Sequence, residues 1–162
     1  MKHKSFGHMQ CPIARTLERV GEWWSIVILR DAFYGLTRFD EFQKSLGIAP
    51  NMLTRRLKGL VESGLLERRE YSARPVRYEY ILTPMGRDFR PVILSLLAWG
   101  NRHLAPEGPS VLLKNVKTGK TAVPILTDKV SGLEIDTKHF RVVAGPAADE
   151  IIRQRIAARK NN

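Results

Sequence analysis

Asn51, Thr54, Arg55 and Lys58 are hydrogen-bond donors spaced so that an α-helix would carry them on one face. Side chains of these types reach phosphate oxygens and base edges. Asparagine suits an adenine edge and arginine a guanine edge. Leu53, Leu57, Leu60 and Val61 recur at i, i+4, i+7 and i+8, which makes an apolar stripe on the opposite side. Pro50 suits a first helical turn, and Gly64 the left-handed position just past a helix end. Residues 49–63 therefore read as an amphipathic helix with a basic outer face, with Arg56 at the margin of that face. An ordinary solvated helix can look the same, so the neighbouring elements must decide.

Other chemistry is sparse. The chain has one cysteine, Cys11, and four scattered histidines, which gives no metal-ligand spacing. No GxxxxGK[ST], GxSxG or HExxH sequence occurs. No enzyme activity, metal or cofactor is expected. A thiol enzyme built on Cys11 would need a base, and His3 and His8 fall in residues 1–10, read as a poorly ordered arm. A single cysteine also excludes an internal disulfide framework and fits a reducing cytoplasm. No signal peptide is expected, since no apolar run follows the basic start.

The net charge is +11. Between Arg55 and Arg77 there are seven Lys or Arg against three Glu, a local excess that suits a polyanion. Alone it is matched by any solvated basic surface.

The elements that would position these residues follow in order. A helix starting at Pro12 is expected to turn Ile13, Leu17 and Val20 inward, and Gly21 breaks it. Residues 22–34 are apolar nearly all round, as a core helix is; Trp23, Trp24 and Phe33 read first as packing. Residues 37–46 form a short helix capped by Thr37, with Asp40 and Glu41 in its first turn. Gly47-Ile48 then leads into the basic-faced helix, which is the helix-turn-helix order. Residues 65–71 and 76–82 make two strands joined by the turn Ser72-Ala73-Arg74-Pro75, a basic wing. A helix opening at Thr83-Pro84 runs to about His103, with Pro91 near its start or at a kink. Its surplus of large aliphatics either closes the core or meets a second copy, and the dimer is favoured. Residues 105–110 have linker composition. Beyond them come a hairpin over 111–126, a strand over 140–144 and a terminal helix over 147–159.

Residues 11–103 resemble the HxlR-type winged helix-turn-helix regulators. The resemblance rests on Cys11-Pro12, Gly21-Glu22-Trp23-Trp24, Ile28-Leu29-Arg30, Arg38-Phe39-Asp40-Glu41-Phe42, Met52-Leu53-Thr54, Gly64-Leu65-Leu66, Tyr80-Ile81-Leu82-Thr83 and Trp99-Gly100, in that order. It implies a homodimer joined by the first and last helices of the domain, bound to a pseudo-palindromic operator. It also implies that residues 49–63 enter the major groove while the loop around Arg74 reaches the minor groove or backbone. Members often open this helix with a Ser-Gln-Lys-like sequence. Here Ala49-Pro50-Asn51 stands instead, leaving Asn51, Thr54 and Arg55 as base readers. Some members sense electrophiles or oxidants through a cysteine near the N-terminus, and Cys11 matches that position. It opens a helix, with Arg15 one turn on. The competing reading is a small residue at a helix cap.

The expectation is thus a mainly α (α+β) chain. It comprises an arm (1–10), a winged helix-turn-helix domain (11–104) and a small β-rich C-terminal appendage (105–162). It would act as a homodimeric, cytoplasmic, DNA-binding regulator. Arg38, Arg56, Lys58, Arg74 and Arg77 would hold phosphates. Cys11 is the candidate redox sensor, and Trp23, Trp24 and Trp99 line a candidate pocket for an aromatic effector. The alternative is a winged-helix module for protein–protein contact without specific DNA binding.

Overall fold

The computed structural model describes Ser5 and residues 9–158; most of the expected arm lies outside them. The chain divides into two compact units, one spanning residues 13–93 and the other 94–158 together with 9–12.

The first unit opens with α1 (Pro12–Val20) and α2 (Trp23–Phe33). Only Val20 of the α1 stripe is buried; Ile13 is 71% exposed and Leu17 48%. Periodicity had placed all three inward, but it identifies an apolar face and not what covers it. In α2, Ile28 and Leu29 are fully buried, and Asp31 is buried beside them. Asp31 accepts from Arg30 Nε (2.8 Å) and from Ser45 Oγ (2.7 Å), so it ties α2 to α3 (Phe39–Leu46). Trp23 is 79% exposed, against the packing expected of it, because it starts the helix on the side away from the core.

Helix α3 begins at Phe39, and Thr37 does not cap it. The Thr37 carbonyl instead accepts from the Tyr80 amide at 2.7 Å, and Arg38 makes a β-bridge to Glu79. The amides before α3 are satisfied by Glu41, whose Oε2 accepts from Thr37 (3.0 Å) and Arg38 (2.9 Å). These two bonds, Thr37's first, hold the Glu41 carboxyl below its usual range, with partial burial opposing them. Stability from this cap is therefore present above the unfolded-state value and lost as pH falls through the lower folded value. Glu41→Gln is expected to cost about 0.5–1 kcal/mol at pH 7 and to flatten the acid limb of a stability-versus-pH curve. An unchanged acid limb in urea titrations would remove the cap from the account.

Helix α4 (Pro50–Glu62) follows a left-handed Gly47 (φ 60°), a conformation that other L residues rarely adopt in so tight a turn. Leu53, Leu57 and Leu60 are buried, with Phe42, Ile48, Leu65 and Leu66, in one core. Strands β1 (Leu66–Ala73) and β2 (Val76–Leu82) pair antiparallel with Leu66 opposite Leu82, and an irregularity falls between Glu70 and Ser72. The Thr83 hydroxyl donates to the Gly64 carbonyl (2.6 Å) and accepts from the Gly86 amide (3.0 Å), capping α5 (Pro84–Asp88) as expected.

The single helix expected over 83–103 is two. Helix α6 (Arg90–His103) starts after a turn at Phe89. Pro91 is the cause: it has no amide, and its ring would meet the carbonyl four residues back in a continuous helix. The division between the two compact units falls inside α6, whose Asn101 Nδ2 donates to the Val111 carbonyl (2.9 Å).

The second unit holds the back of α6, the two-residue strands β3 (Leu113–Lys114) and β4 (Thr121–Ala122), and α7 (Glu150–Ala157). The hairpin and terminal helix are in the expected places but shorter. Residues 140–144 form no strand: their β-branched residues find no partner. No described helix is long and apolar enough to cross a membrane.

Candidate nucleic-acid interface

The polar face of α4 stands clear of the core. Asn51, Thr54, Arg55 and Lys58 are all exposed, while Leu53 and Leu57 between them are fully buried. Local bonds set their attitudes. Asn51 Oδ1 accepts the Met52 amide (2.7 Å), which directs its amide nitrogen outward. Thr54 Oγ1 donates back to the Pro50 carbonyl (2.8 Å), so the hydroxyl proton is committed and the outer surface is a methyl group with an acceptor lone pair. Arg55 Nη2 rests 3.2 Å from Met52 Sδ, a weak contact that leaves most of the guanidinium's donors available. Lys58 Nζ lies 3.6 Å from Glu62 Oε1, a solvent-screened pair.

Arg56 is turned the other way. Its side chain is 16% exposed, and Nη2 bonds Glu22 Oε2 at 2.8 Å. Its Nε is buried without a hydrogen-bond partner among the described residues. The guanidinium braces α4 against the residue that precedes α2.

The wing carries the remaining cations. Arg74 and Arg77 are exposed at its tip. The Arg38 guanidinium lies over the Tyr71 ring, 4.7 Å from the centroid. Arg68 was not singled out in the sequence, yet it stacks on Tyr78 at 4.3 Å. It also lines a 340 Å³ groove with Thr54, Lys58, Val61, Glu62 and Tyr80, beside the reading face. Strand register held the signal: Arg68 faces Tyr80 across the hairpin. Burial raises the Tyr80 phenol, with the Arg68 charge opposing, so Tyr80 stays neutral and can only donate or accept a hydrogen bond there. Arg69 is engaged by Glu79 at 2.9 Å.

The other candidate residues are distributed over both units. Cys11 is half-exposed immediately before α1. Trp24 packs half-buried on the core of the first unit, where Trp23 also belongs. Trp99 belongs to the second unit and is exposed, its ring 5.4 Å from His103. Among the described residues no His, Cys, Asp and Glu cluster could hold a metal ion.

A family model described as HxlR-like helix-turn-helix matches residues 19–108. An HTH-type transcriptional regulator of Mycobacterium tuberculosis, Rv3095, is 42% identical over 135 residues, covering 83% of this chain and 85% of its own. The structure of PA1374 from Pseudomonas aeruginosa, described as a transcription factor, is 56% identical. It superposes with a TM-score of 0.65 over 90% of this chain and 99% of its own. The redox regulator HypR in its reduced form is 32% identical, with a TM-score of 0.55 over 60% of this chain and 99% of its own.

Proposed function

Since the chain belongs to the HxlR-like helix-turn-helix family, and is thus a transcriptional regulator and not an enzyme, we propose that it binds a pseudo-palindromic operator as a homodimer. Helix α4 reads the major groove. The observation that carries this reading is the division of α4: Asn51, Thr54, Arg55 and Lys58 all exposed on one side, and Leu53, Leu57 and Leu60 buried on the other. Asn51 is assigned to an adenine and Arg55 to a guanine; the Thr54 methyl suits a thymine methyl. Lys58, Arg38, Arg74 and Arg77 hold phosphates, and Arg68 joins them. The exposed apolar residues Ile13 and Leu17 of α1, with Val92, Leu96 and Trp99 of α6, support a dimer made through these two helices.

A dimer with about six to ten phosphate contacts is expected to show a slope of log K against log salt of about −5 to −9. Fluorescence anisotropy on a genomic fragment recovered with the purified protein measures it. A slope near zero would overturn the reading in favour of a protein–protein module.

Cys11 is the proposed redox input, supported by its half-exposed place before α1 and by the likeness to HypR. With one cysteine per chain, diamide would join the Cys11 thiols of two subunits. One disulfide forms, and the two electrons and two protons pass to diamide, which becomes the hydrazine. DNA release by diamide is expected to disappear in Cys11→Ser. Unchanged release in that variant would dismiss Cys11.

A further inference from the structure

Helices α1 and α5 flank a cleft of about 350 Å³ in the first unit, and no residue assigned to DNA lines it. Its lining is chiefly apolar: Val20 and Leu65 are buried, Phe89 is half-buried, and Met85 is 44% exposed. A hollow with apolar walls and a few polar groups suits a small molecule and not a phosphate backbone. Three charges border it, Arg15 and Arg19 on α1 and Asp88 on α5. Arg15 and Arg19 stand one turn apart and so share a face. Two guanidiniums against one carboxylate leave one net positive charge, which a monoanion neutralises. Arg19 Nη1 donates to the Ser63 carbonyl at 3.2 Å, which uses one of its five N–H donors. Ser63 is the residue that closes α4, so the guanidinium that borders the cleft also touches the end of that helix.

We propose that this cleft is an effector site for a small monocarboxylate with an apolar aryl or alkyl body. The body covers Val20, Leu65, Met85 and Phe89, and the carboxylate takes charge-assisted hydrogen bonds from Arg19, with Arg15 adding to the field. Met85 is unbranched and polarizable, so it shapes itself to either kind of body. Asp88 repels a second negative charge, which disfavours dicarboxylates. The carboxylate competes with the Ser63 carbonyl for Arg19, and as an ion it is the stronger acceptor. The bound state thus loosens the fastening between α1 and the exit of α4, and that differential contact couples the site to DNA. Trp23, Trp24 and Trp99 do not line this cleft, so it is a separate site from the one they would make. Binding of the carboxylate stands independently of the operator reading above; its effect on DNA rests on that reading.

The test uses the full chain with isotope-labelled methionine methyl groups, the Met85 signal being assigned with Met85→Leu. The probes are phenylacetate, indoleacetate and octanoate, each beside its uncharged amide. The Met85 methyl signal is expected to shift saturably, with a Kd below about 1 mM for at least one acid. The matching amide is expected to bind at least about 10-fold more weakly. Arg19→Gln is expected to weaken the acid about 10-fold, and Asp88→Asn to tighten it about 2- to 5-fold. Both side chains are exposed, so the fold is retained, checked by circular dichroism. No Met85 shift with any acid up to about 10 mM would overturn the site. Amides that bind as tightly as acids, or Arg19→Gln without effect, would overturn the carboxylate. A Met85 shift that follows protein concentration and ignores the probes would give the cleft to a second copy. Fluorescence anisotropy on the recovered genomic fragment is expected to show DNA affinity changed at least about 5-fold at saturating probe. Unchanged affinity would overturn the effector role. Absence of DNA binding with or without probe would overturn the operator reading and leave the Met85 result in place.

Discussion

Arg55→Ala is expected to weaken operator binding about 5- to 150-fold, or roughly 1–3 kcal/mol, and to flatten the preference at one base position. The size follows from geometry. Arg55 sits on the exposed face of α4 with only a 3.2 Å contact to a thioether sulfur, so bonding to a base sacrifices almost nothing inside the protein. Lys58→Ala provides the contrast. Its partner among the described residues is Glu62 at 3.6 Å, and the phosphate role assigned to it carries no sequence information. That variant is expected to weaken all sequences alike and to make the salt slope shallower by about one. Competition binding against single-base operator variants separates the two. Equal losses on every sequence for Arg55→Ala would take it out of base readout.

Gly86→Ala is expected to destabilise the fold by about 3 kcal/mol, through overpacking chiefly against backbone, which cannot swing aside as a side chain can. A Cβ at residue 86 would press into the backbone carbonyl oxygen of Leu65. That carbonyl also accepts the Thr83 amide at 3.1 Å, and the Gly86 amide donates to the Thr83 hydroxyl at 3.0 Å. Three segments meet there: the exit from α4, the start of β1 and the first turn of α5. The methyl group must either part α5 from the exit of α4 or break the Thr83 cap, which holds the Gly64 carbonyl at 2.6 Å. For a unit of about 80 residues this corresponds to a Tm lowered by about 12–24 °C. Thermal unfolding by circular dichroism measures it. A loss under 1 kcal/mol would mean the junction yields more easily than a packed backbone should.

Both ends of α4 were legible because Pro50 and Gly64 act locally, through a missing amide and a left-handed φ of 73°. Its buried stripe was legible because Leu53, Leu57 and Leu60 repeat at the helical period. The order of helix, turn, helix and hairpin followed from the same short-range chemistry. What was not legible depended on distant partners. Arg56 sits at the margin of the polar face, and only Glu22, 34 positions away, decides which way it turns. Thr37 looks like a cap until the Tyr80 amide claims its carbonyl and Glu41 takes over. The stripe Ile13 and Leu17 has the right period but stays largely exposed among the described residues. In the extension, Val142-Val143 has strand propensity without a strand to pair with, and propensity alone does not make a sheet.

Helix α4 is fastened at three places along its length: by the left-handed turn at Gly47, by the Arg56–Glu22 pair near its middle and by the Thr83 hydroxyl at its exit. A rod fixed at entry, centre and exit cannot roll about its own axis. On the proposed reading, new operator preferences would arise by exchanging the side chains at positions 51, 54, 55 and 58, one letter at a time. If the proposed homodimer holds, paralogues built on this scaffold should differ in which bases they choose while keeping the same distance between half-sites, so the scaffold would fix the ruler and leave the alphabet free to drift.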